Sequence, residues 1–225
     1  MTAFSQFTLN IRLRDDATLD NFYVANKNQE LINYMPSSAY IWGKPGSGRS
    51  HLLQACCNKI TAEHSVAIYL PLAEIENLSV HILENLENVA LICLDDIDNI
   101  IGNNIWEEAV FHLINRVYLS KTNLLVTASA APNNLKFNLP DLQSRLTACV
   151  IFQLHALTDE QKLAALQMRA KIRGLSLPTA VAKFLLTYCA RDTASLFLIL
   201  EKLDQASLAL QRKLTIPFVK HVLKA

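Results

Sequence analysis

Residues 39–53 read AYIWGKPGSGRSHLL and join an apolar run, a glycine-rich loop and the start of an apolar helix. The loop from Gly43 to Ser50 fits the pattern G-x-x-x-x-G-K-[ST], except that Arg49 stands where the pattern has lysine. Glycines let backbone N–H groups converge on phosphate oxygens, and the N-terminus of the next helix adds positive potential. A simple glycine-rich turn is the alternative. The strand pattern before the loop and the helix pattern after it favour a nucleotide-binding site.

The side chains of this loop divide into binding and metal-holding roles. The Ser50 hydroxyl suits coordination of Mg²⁺, whereas Arg49 replaces a point charge with a planar fork. We therefore do not expect hydrolysis by the usual lysine geometry. The residues assigned to nucleotide binding in this stretch are Gly43, Lys44, Pro45, Gly46, Ser47, Gly48, Arg49, Ser50 and His51.

Short apolar runs alternate with helical patterns along the first two thirds of the chain. The runs cover residues 39–42, 66–70, 89–94, 124–127 and 150–154. Each suits a strand that is buried on both faces of a parallel sheet. The clearest helix pattern, from about 105 to 119, has an apolar stripe with the 3.6-residue period. This alternation predicts an α/β fold with a five-stranded parallel sheet and right-handed crossovers.

The strand signals stop after residue 154, and helix signals take over. Thr158 and Gln161 have the spacing of a capping box, and Pro178 suits the first turn of a second helix. A third helix, with Leu210 turned inward, and a short one near Pro217 complete a small all-α domain. We divide the chain into an extended segment at 1–18, an α/β nucleotide-binding domain at 19–156 and a helical lid at 157–225.

Two carboxylates, Asp95 and Asp96, end the third apolar run. Carboxylates at the end of a strand beside a phosphate loop hold Mg²⁺ and orient water. We assign the water shell of the metal to Asp95 and polarisation of the attacking water to Asp96; the alternative is a strand-ending turn with solvated carboxylates. Ser129 follows another strand, where a hydroxyl could reach the γ-phosphate or simply end a turn.

The composition of the chain sets limits on its partners. The 225 residues carry a formal net charge of +1, and no basic stripe is visible, so we expect DNA contact to be weak or indirect. The five cysteines show no C-x-x-C spacing, which argues against a zinc site. No signal-peptide pattern and no long uncharged apolar run is present, which predicts a cytoplasmic location and no membrane partner.

The phosphate loop, Asp95-Asp96 and Arg145 occur in the order that resembles AAA+ ATPases of the DnaA family. The segments LDNF at 19–22 and GRSHLL at 48–53 extend the likeness. The arginine in the loop, the stretches around 139–146 and the tail at 206–220 resemble the Hda group of DnaA-homologous regulators. The resemblance implies an AAA+ α/β domain with a lid, and it adds Phe22 and Val24 to the nucleotide contacts.

The function implied by this resemblance is negative regulation of chromosomal replication initiation. Such a protein binds ADP or ATP with Mg²⁺, docks on the sliding clamp (the beta subunit of DNA polymerase III) and stimulates hydrolysis of the ATP bound to DnaA. Arg145 would be the arginine finger that acts in trans, although composition alone favours a salt-bridged surface residue. Two positions depart from the family: Ala194 stands where many lids carry an arginine, with Arg191 one turn away, and Ser129 replaces an aspartate.

The N-terminal segment QFTLNI at 6–11 resembles a clamp-binding hexapeptide, with Gln6, Leu9 and Ile11 as its anchors. An extended apolar peptide of this kind can fill a groove on a partner. The same alternation of apolar and polar residues also suits a half-buried strand.

Two other functions are compatible with the motifs. A self-sufficient ATPase of the helicase-loader type would turn over ATP alone, and a structural module would use nucleotide only for stability. The sequence leaves open whether ADP or ATP is the active ligand and whether the chain forms a homo-oligomer.

Overall fold

A computed structural model describes residues 17–189 and 192–224, so the clamp-binding anchors Gln6, Leu9 and Ile11 lie outside the described residues. The five expected strands are present and all pair in parallel, in the order β2-β3-β4-β1-β5. Their bounds are β1 Ala39–Trp42, β2 Ala67–Pro71, β3 Leu91–Asp95, β4 Asn123–Ala128 and β5 Ile151–Gln153. The prediction of a five-stranded parallel sheet is confirmed.

Eight α-helices are found within the described ranges. Their bounds are α1 Gln29–Tyr34, α2 Arg49–Ala62, α3 Asn104–Tyr118, α4 Pro140–Thr147, α5 Asp159–Ile172, α6 Thr179–Tyr188, α7 Thr193–Leu210 and α8 Ile216–Lys224, preceded or separated by short 3₁₀ turns such as Ile97–Ile100. Counted by these bounds, the α-helices of the first domain are four, α1 to α4, and those of the lid are four, α5 to α8.

The edge strand β5 differs from the sequence-based expectation. It was expected to be buried on both faces, yet Ile151 and Gln153 are exposed and Phe152 is only partly buried. The reason is its place at the end of the sheet, where it pairs with β1 on one side. An apolar run reports the presence of a strand but does not distinguish a central strand from an edge strand.

Apolar side chains cover both faces of the sheet. Leu52, Leu53 and Cys56 of α2 pack on one face, and Val110 and Leu113 of α3 pack on the other. The 3.6-residue stripe predicted for α3 is therefore confirmed. This two-sided packing fixes α2, and with it the preceding loop, against the carboxyl ends of the strands.

The lid has its own apolar core, which α5 to α8 share. The capping box of Thr158 and Gln161 is present at the start of α5. Pro178 is the N-cap of α6 and lies just before its first turn, and Leu210 is 51% exposed where an inward position was expected. Among residues 17–189 and 192–224, no helix has the length and apolar content needed to cross a membrane.

Candidate functional site

A cavity of about 330 Å³ lies between the phosphate loop and the lid. Its walls come from three parts of the chain: the segment before α1, the loop that leads into α2, and the lid helices. The lining residues are Asn21, Phe22, Tyr23, Asn28, Pro45, Gly46, Ser47, Gly48, Arg49, Ser50, His51, Asp96, Leu157, Arg169, Thr193, Ala194 and Phe197.

The glycines of the loop are required by its conformation and by its neighbours. Gly46 and Gly48 have φ of 78° and 101°, in the left-handed region that side chains disfavour. A methyl group at Gly48 would lie 3.2 Å from Phe22 Cε2. At Gly43 it would lie 2.5 Å from the carbonyl oxygen of Leu154, so the start of the loop is packed tightly against the residue that follows β5.

Arg49 is held inside the protein by two partners. Its Nη1 donates to the carbonyl oxygen of Gly43, and its Nη2 lies 2.6 Å from Asp96 Oδ1. The Arg49 side chain is 10% exposed and that of Asp96 is 31% exposed. Burial raises the pKa of Asp96, and the hydrogen bond from Arg49 opposes that rise. The guanidinium therefore ties the phosphate loop to the carboxylate that sequence reasoning assigned to water.

Asp95 is 3% exposed and does not line the cavity. Its Oδ2 accepts a 2.6 Å hydrogen bond from the Tyr69 hydroxyl, and its Oδ1 accepts one from Thr127. Burial, followed by the charge of Asp95, raises the pKa of Tyr69, and Ser50 lies close enough to that hydroxyl to oppose the rise. Ser50 and Asp95 thus both lie close to the Tyr69 hydroxyl.

The oxygen chemistry of this corner fits Mg²⁺ carried by a nucleotide. Magnesium prefers oxygen ligands, keeps several waters and is bound through few protein groups together with phosphates. Ser50 lines the cavity and offers a hydroxyl, whereas Asp95 stands one hydroxyl farther away. The Ser50 hydroxyl thus lines the cavity, whereas both carboxylate oxygens of Asp95 are engaged by Tyr69 and Thr127.

The lid contributes a buried arginine that sequence reasoning missed. Arg169 of α5 is 5% exposed, and its Cζ lies 3.9 Å from the centre of the Phe197 ring. Its Nη2 is 3.3 Å from Asn21 Oδ1 and 3.1 Å from His51 Nδ1. His51 Nε2 lies 2.9 Å from the same Asn21 oxygen. One guanidinium therefore connects the lid to both the segment before α1 and α2.

Several residues assigned to nucleotide binding from the sequence stand outside the cavity wall. Gly43, Lys44, Val24, Asp95 and Ser129 are not among the lining residues. Ser129 has its hydroxyl 2.6 Å from Asp98 Oδ2, so it is engaged within its own loop. The other assigned loop residues, together with Phe22, His51 and Asp96, do line the cavity.

Asn28 is a second lining residue that sequence reasoning missed, and it has a structural reason to be there. It is 1% exposed and exchanges two hydrogen bonds with the backbone of His155, with its amide nitrogen donating at 3.0 Å and its oxygen accepting at 2.9 Å. It thereby fixes the segment before α1 against the connection that leads to the lid.

Arg145 lies away from the cavity, on the exposed side of α4. Its guanidinium is 6.0 Å from the centre of the Tyr118 ring, and Tyr118 itself is 79% exposed. No ion pair joins Arg145 to any residue within the described ranges, so the salt-bridge alternative gains no support there. By contrast, Arg116 is paired with Glu87 at 3.1 Å and donates to the Leu83 carbonyl.

Comparison with protein families gives two matches. Residues 14–153 match the model of the bacterial DnaA ATPase domain, and residues 159–223 match that of the Hda lid domain. An uncharacterised protein of Haemophilus influenzae is 48% identical over 226 residues, which cover 97% of this chain and 98% of that protein.

Solved structures share the fold at low sequence identity. Domain III of the replication initiation protein DnaA from Thermotoga maritima superposes with a TM-score of 0.76 at 20% identity, over 95% of this chain and 98% of that one. AMPPCP-bound DnaA from Aquifex aeolicus gives 0.70 at 21% identity, over 84% and 65% of the two chains. The Holliday junction branch migration motor RuvB of Thermotoga maritima gives 0.63 at 15% identity, over 92% and 71%.

Proposed function

The chain belongs to the bacterial DnaA ATPase domain family, with a lid of the Hda type, and we propose that it is a nucleotide-bound negative regulator of replication initiation. In this role it docks on the sliding clamp and stimulates hydrolysis of the ATP bound to DnaA. The observation that carries the proposal is the contrast between Arg145, which is exposed and outside the cavity, and the cavity groups, which are engaged with one another.

The cavity suits an adenine nucleotide. Gly46 and Gly48 adopt the turn that aims backbone N–H groups at phosphates, and α2 starts directly after them. The solved relative from Aquifex aeolicus holds AMPPCP in a domain of the same fold. Mg²⁺ bound with the nucleotide would be held through Ser50, and it would neutralise phosphate charge there.

The groups that would hydrolyse ATP in this cavity are engaged elsewhere. Arg49 binds Asp96 at 2.6 Å, and Ser129 binds Asp98 at 2.6 Å. A carboxylate that holds a guanidinium is a poor acceptor for the proton of an attacking water. The chain therefore binds ADP at least as tightly as ATP, and its own turnover is very slow, which argues against a helicase-loader type of ATPase.

Arg145 supplies the catalytic charge to another molecule. A guanidinium that reaches a transferring phosphoryl group stabilises its developing charge and accelerates hydrolysis about 10³–10⁵-fold. Arg145 is suited to reach a phosphoryl group on a second molecule. Its side chain is exposed, it projects from helix α4, and the Tyr118 ring lies beside its guanidinium. DnaA is the recipient that the family membership favours.

Docking on the sliding clamp rests on the N-terminal pattern of Gln6, Leu9 and Ile11. An extended peptide with apolar anchors suits a groove on a partner. The clamp would hold the regulator close to DNA and to DnaA without a basic surface of its own, in keeping with the net charge of +1.

The direct test mixes this chain with DnaA–ATP and DNA-loaded clamp and follows the appearance of ADP. We expect ADP production that needs all three components. Hydrolysis by this chain alone at roughly 1–100 s⁻¹, the range of ordinary phosphoryl-transfer enzymes, would contradict the proposal. Unchanged DnaA-bound ATP would contradict it as well and would favour the structural module.

A further inference from the structure

The lid wall of the cavity has an alanine where a lid arginine was expected and an arginine where none was expected. Ala194 lines the cavity from the first turn of α7 and is exposed. Phe197, one turn further along α7, lines it too, and Arg169 of α5 packs on the Phe197 ring at 3.9 Å. The arginine that the lid presents to the cavity therefore comes from α5 and not from α7.

Arg169 has the position of a ligand-binding side chain. It is 5% exposed, and it lines the cavity together with Gly46 to His51. Its Nη2 lies 3.1 Å from the ring of His51, which belongs to the first turn of α2. Because phosphates bind at the N-terminus of a helix, a guanidinium beside this turn is suited to the anionic part of a nucleotide.

We propose that Arg169 is the lid residue that binds the phosphate chain of the nucleotide, in place of the arginine that is absent at position 194. This inference rests on the proposed nucleotide binding. The guanidinium fork matches phosphate oxygens, and stacking on Phe197 holds its plane so that little side-chain entropy is lost on binding.

The same side chain couples nucleotide binding to closure of the lid. Arg169 contacts Asn21 Oδ1 at 3.3 Å and His51 Nδ1 at 3.1 Å, and these two residues lie in the α/β domain. A phosphate that binds this guanidinium therefore engages a side chain that contacts both the lid and the α/β domain. Bound nucleotide should reduce the mobility of α5 relative to α2.

The test measures ADP affinity of four variants by isothermal titration calorimetry. Arg169→Ala should weaken ADP binding at least 10-fold, and Arg169→Lys should recover little because an ammonium lacks the planar fork. Arg173→Ala is the matched control: it lies on the lid side, where it pairs with Glu201 at 3.7 Å and Asp204 at 3.6 Å. Its ADP affinity should stay within about 2-fold of the parent.

The fourth variant, Arg169→Ala combined with Ala194→Arg, separates a phosphate contact from a merely structural one. Because residue 194 also lines the cavity, the second change should restore most of the ADP affinity. Binding of adenosine, followed by nuclear magnetic resonance, should be nearly the same in the parent and in Arg169→Ala, since adenosine has no phosphate.

Three results would overturn the assignment. They are an ADP affinity of Arg169→Ala within 2-fold of the parent, an equal loss in Arg173→Ala, and an equal loss for adenosine. If Arg169→Ala does not fold, the parent and Arg169→Lys decide the question by the same criteria. A parent chain that binds no ADP refutes the proposed nucleotide binding itself, and this inference falls with it.

Discussion

The two arginines Arg49 and Arg145 have opposite surroundings. The Arg49 side chain is 10% exposed, and its Nη1 and Nη2 bind the Gly43 carbonyl and Asp96 within the same domain. Arg145 is exposed on α4, where its guanidinium lies beside the Tyr118 ring. A buried, paired guanidinium holds a site in shape, whereas an exposed guanidinium on a rigid helix is available to a second molecule. Substitution of one should therefore affect the chain itself, and substitution of the other should affect its partner.

The largest expected effect is on Arg145. Arg145→Ala should reduce the stimulated hydrolysis of DnaA-bound ATP by about 10³–10⁵-fold, because the charge on the transferring phosphoryl group loses its stabiliser. Arg145→Lys should recover little, since a point charge does not reproduce the planar fork. Single-turnover hydrolysis with clamp and DNA measures the effect. Arg212→Ala removes another exposed arginine and should keep full stimulation; if it fails equally, a general surface effect is responsible.

The next effect concerns the loop that Arg49 closes. Gly43→Ala places a methyl group 2.5 Å from the Leu154 carbonyl and 2.8 Å from Ser47 Oγ. We expect a loss of about 1–3 kcal/mol of stability from this overpacking, together with a loss of ADP binding. Thermal unfolding and calorimetry measure both. Gly46→Ala is the control, because its methyl group meets nothing within 4 Å and only its φ of 78° is unfavourable. Equal losses in the two variants would show that the close approach to Leu154 is unimportant.

Arg49→Ala tests the internal role of that arginine. It leaves Asp96 and the Gly43 carbonyl without their guanidinium partner, which should cost roughly 1–3 kcal/mol in the unfolding free energy. The matched substitution Arg145→Ala should change stability by less than about 0.5 kcal/mol, as is usual for an exposed residue. Urea unfolding of both nucleotide-free proteins gives the comparison. The contrast between the two arginines is wrong if Arg145→Ala is the more destabilised protein.

The smallest effect is expected at Tyr118. Its ring lies 6.0 Å from the Arg145 guanidinium, and an exposed contact of this kind contributes about 0.5–1 kcal/mol. Tyr118→Ala should slow the stimulated hydrolysis roughly 2- to 5-fold, whereas Tyr118→Phe keeps the ring and should leave the rate unchanged. A rate for Tyr118→Ala equal to the parent would mean that Arg145 needs no aromatic neighbour.

The features that the sequence predicted correctly are the ones set by short spacings. The glycine-rich loop that leads into α2 and the capping box at Thr158 involve residues a few positions apart, so local chemistry is enough to find them. The pairing of Arg49 with Asp96 spans 47 positions and depends on β1 and β3 lying two strands apart across β4. The contact between Arg169 and Asn21 spans 148 positions and depends on how the lid sits.

The burial of Asp95 shows that a motif at the end of a strand does not determine which side chain lines a cavity. Two carboxylates at the end of an apolar strand predict a site, but only the neighbouring strands decide which of them faces it. The Tyr69 hydroxyl from β2 and the Thr127 hydroxyl from β4 take up both oxygens of Asp95, so Asp96 alone of the pair lines the cavity. The sequence offered no signal for these partners because each comes from a different strand.

The most direct test of the contrast between Arg49, which acts within this chain, and Arg145, which acts on a partner, uses labelled ATP placed on one protein at a time. With the label on DnaA and unlabelled ADP on this chain, clamp and DNA present, we expect rapid conversion of the label that disappears with Arg145→Ala. With the label on this chain and unlabelled ADP on DnaA, we expect conversion to be slower by at least two orders of magnitude, whatever residue 145 is. Rapid conversion in the second arrangement, or Arg145-independent conversion in the first, would show that the chain hydrolyses its own nucleotide and does not act in trans.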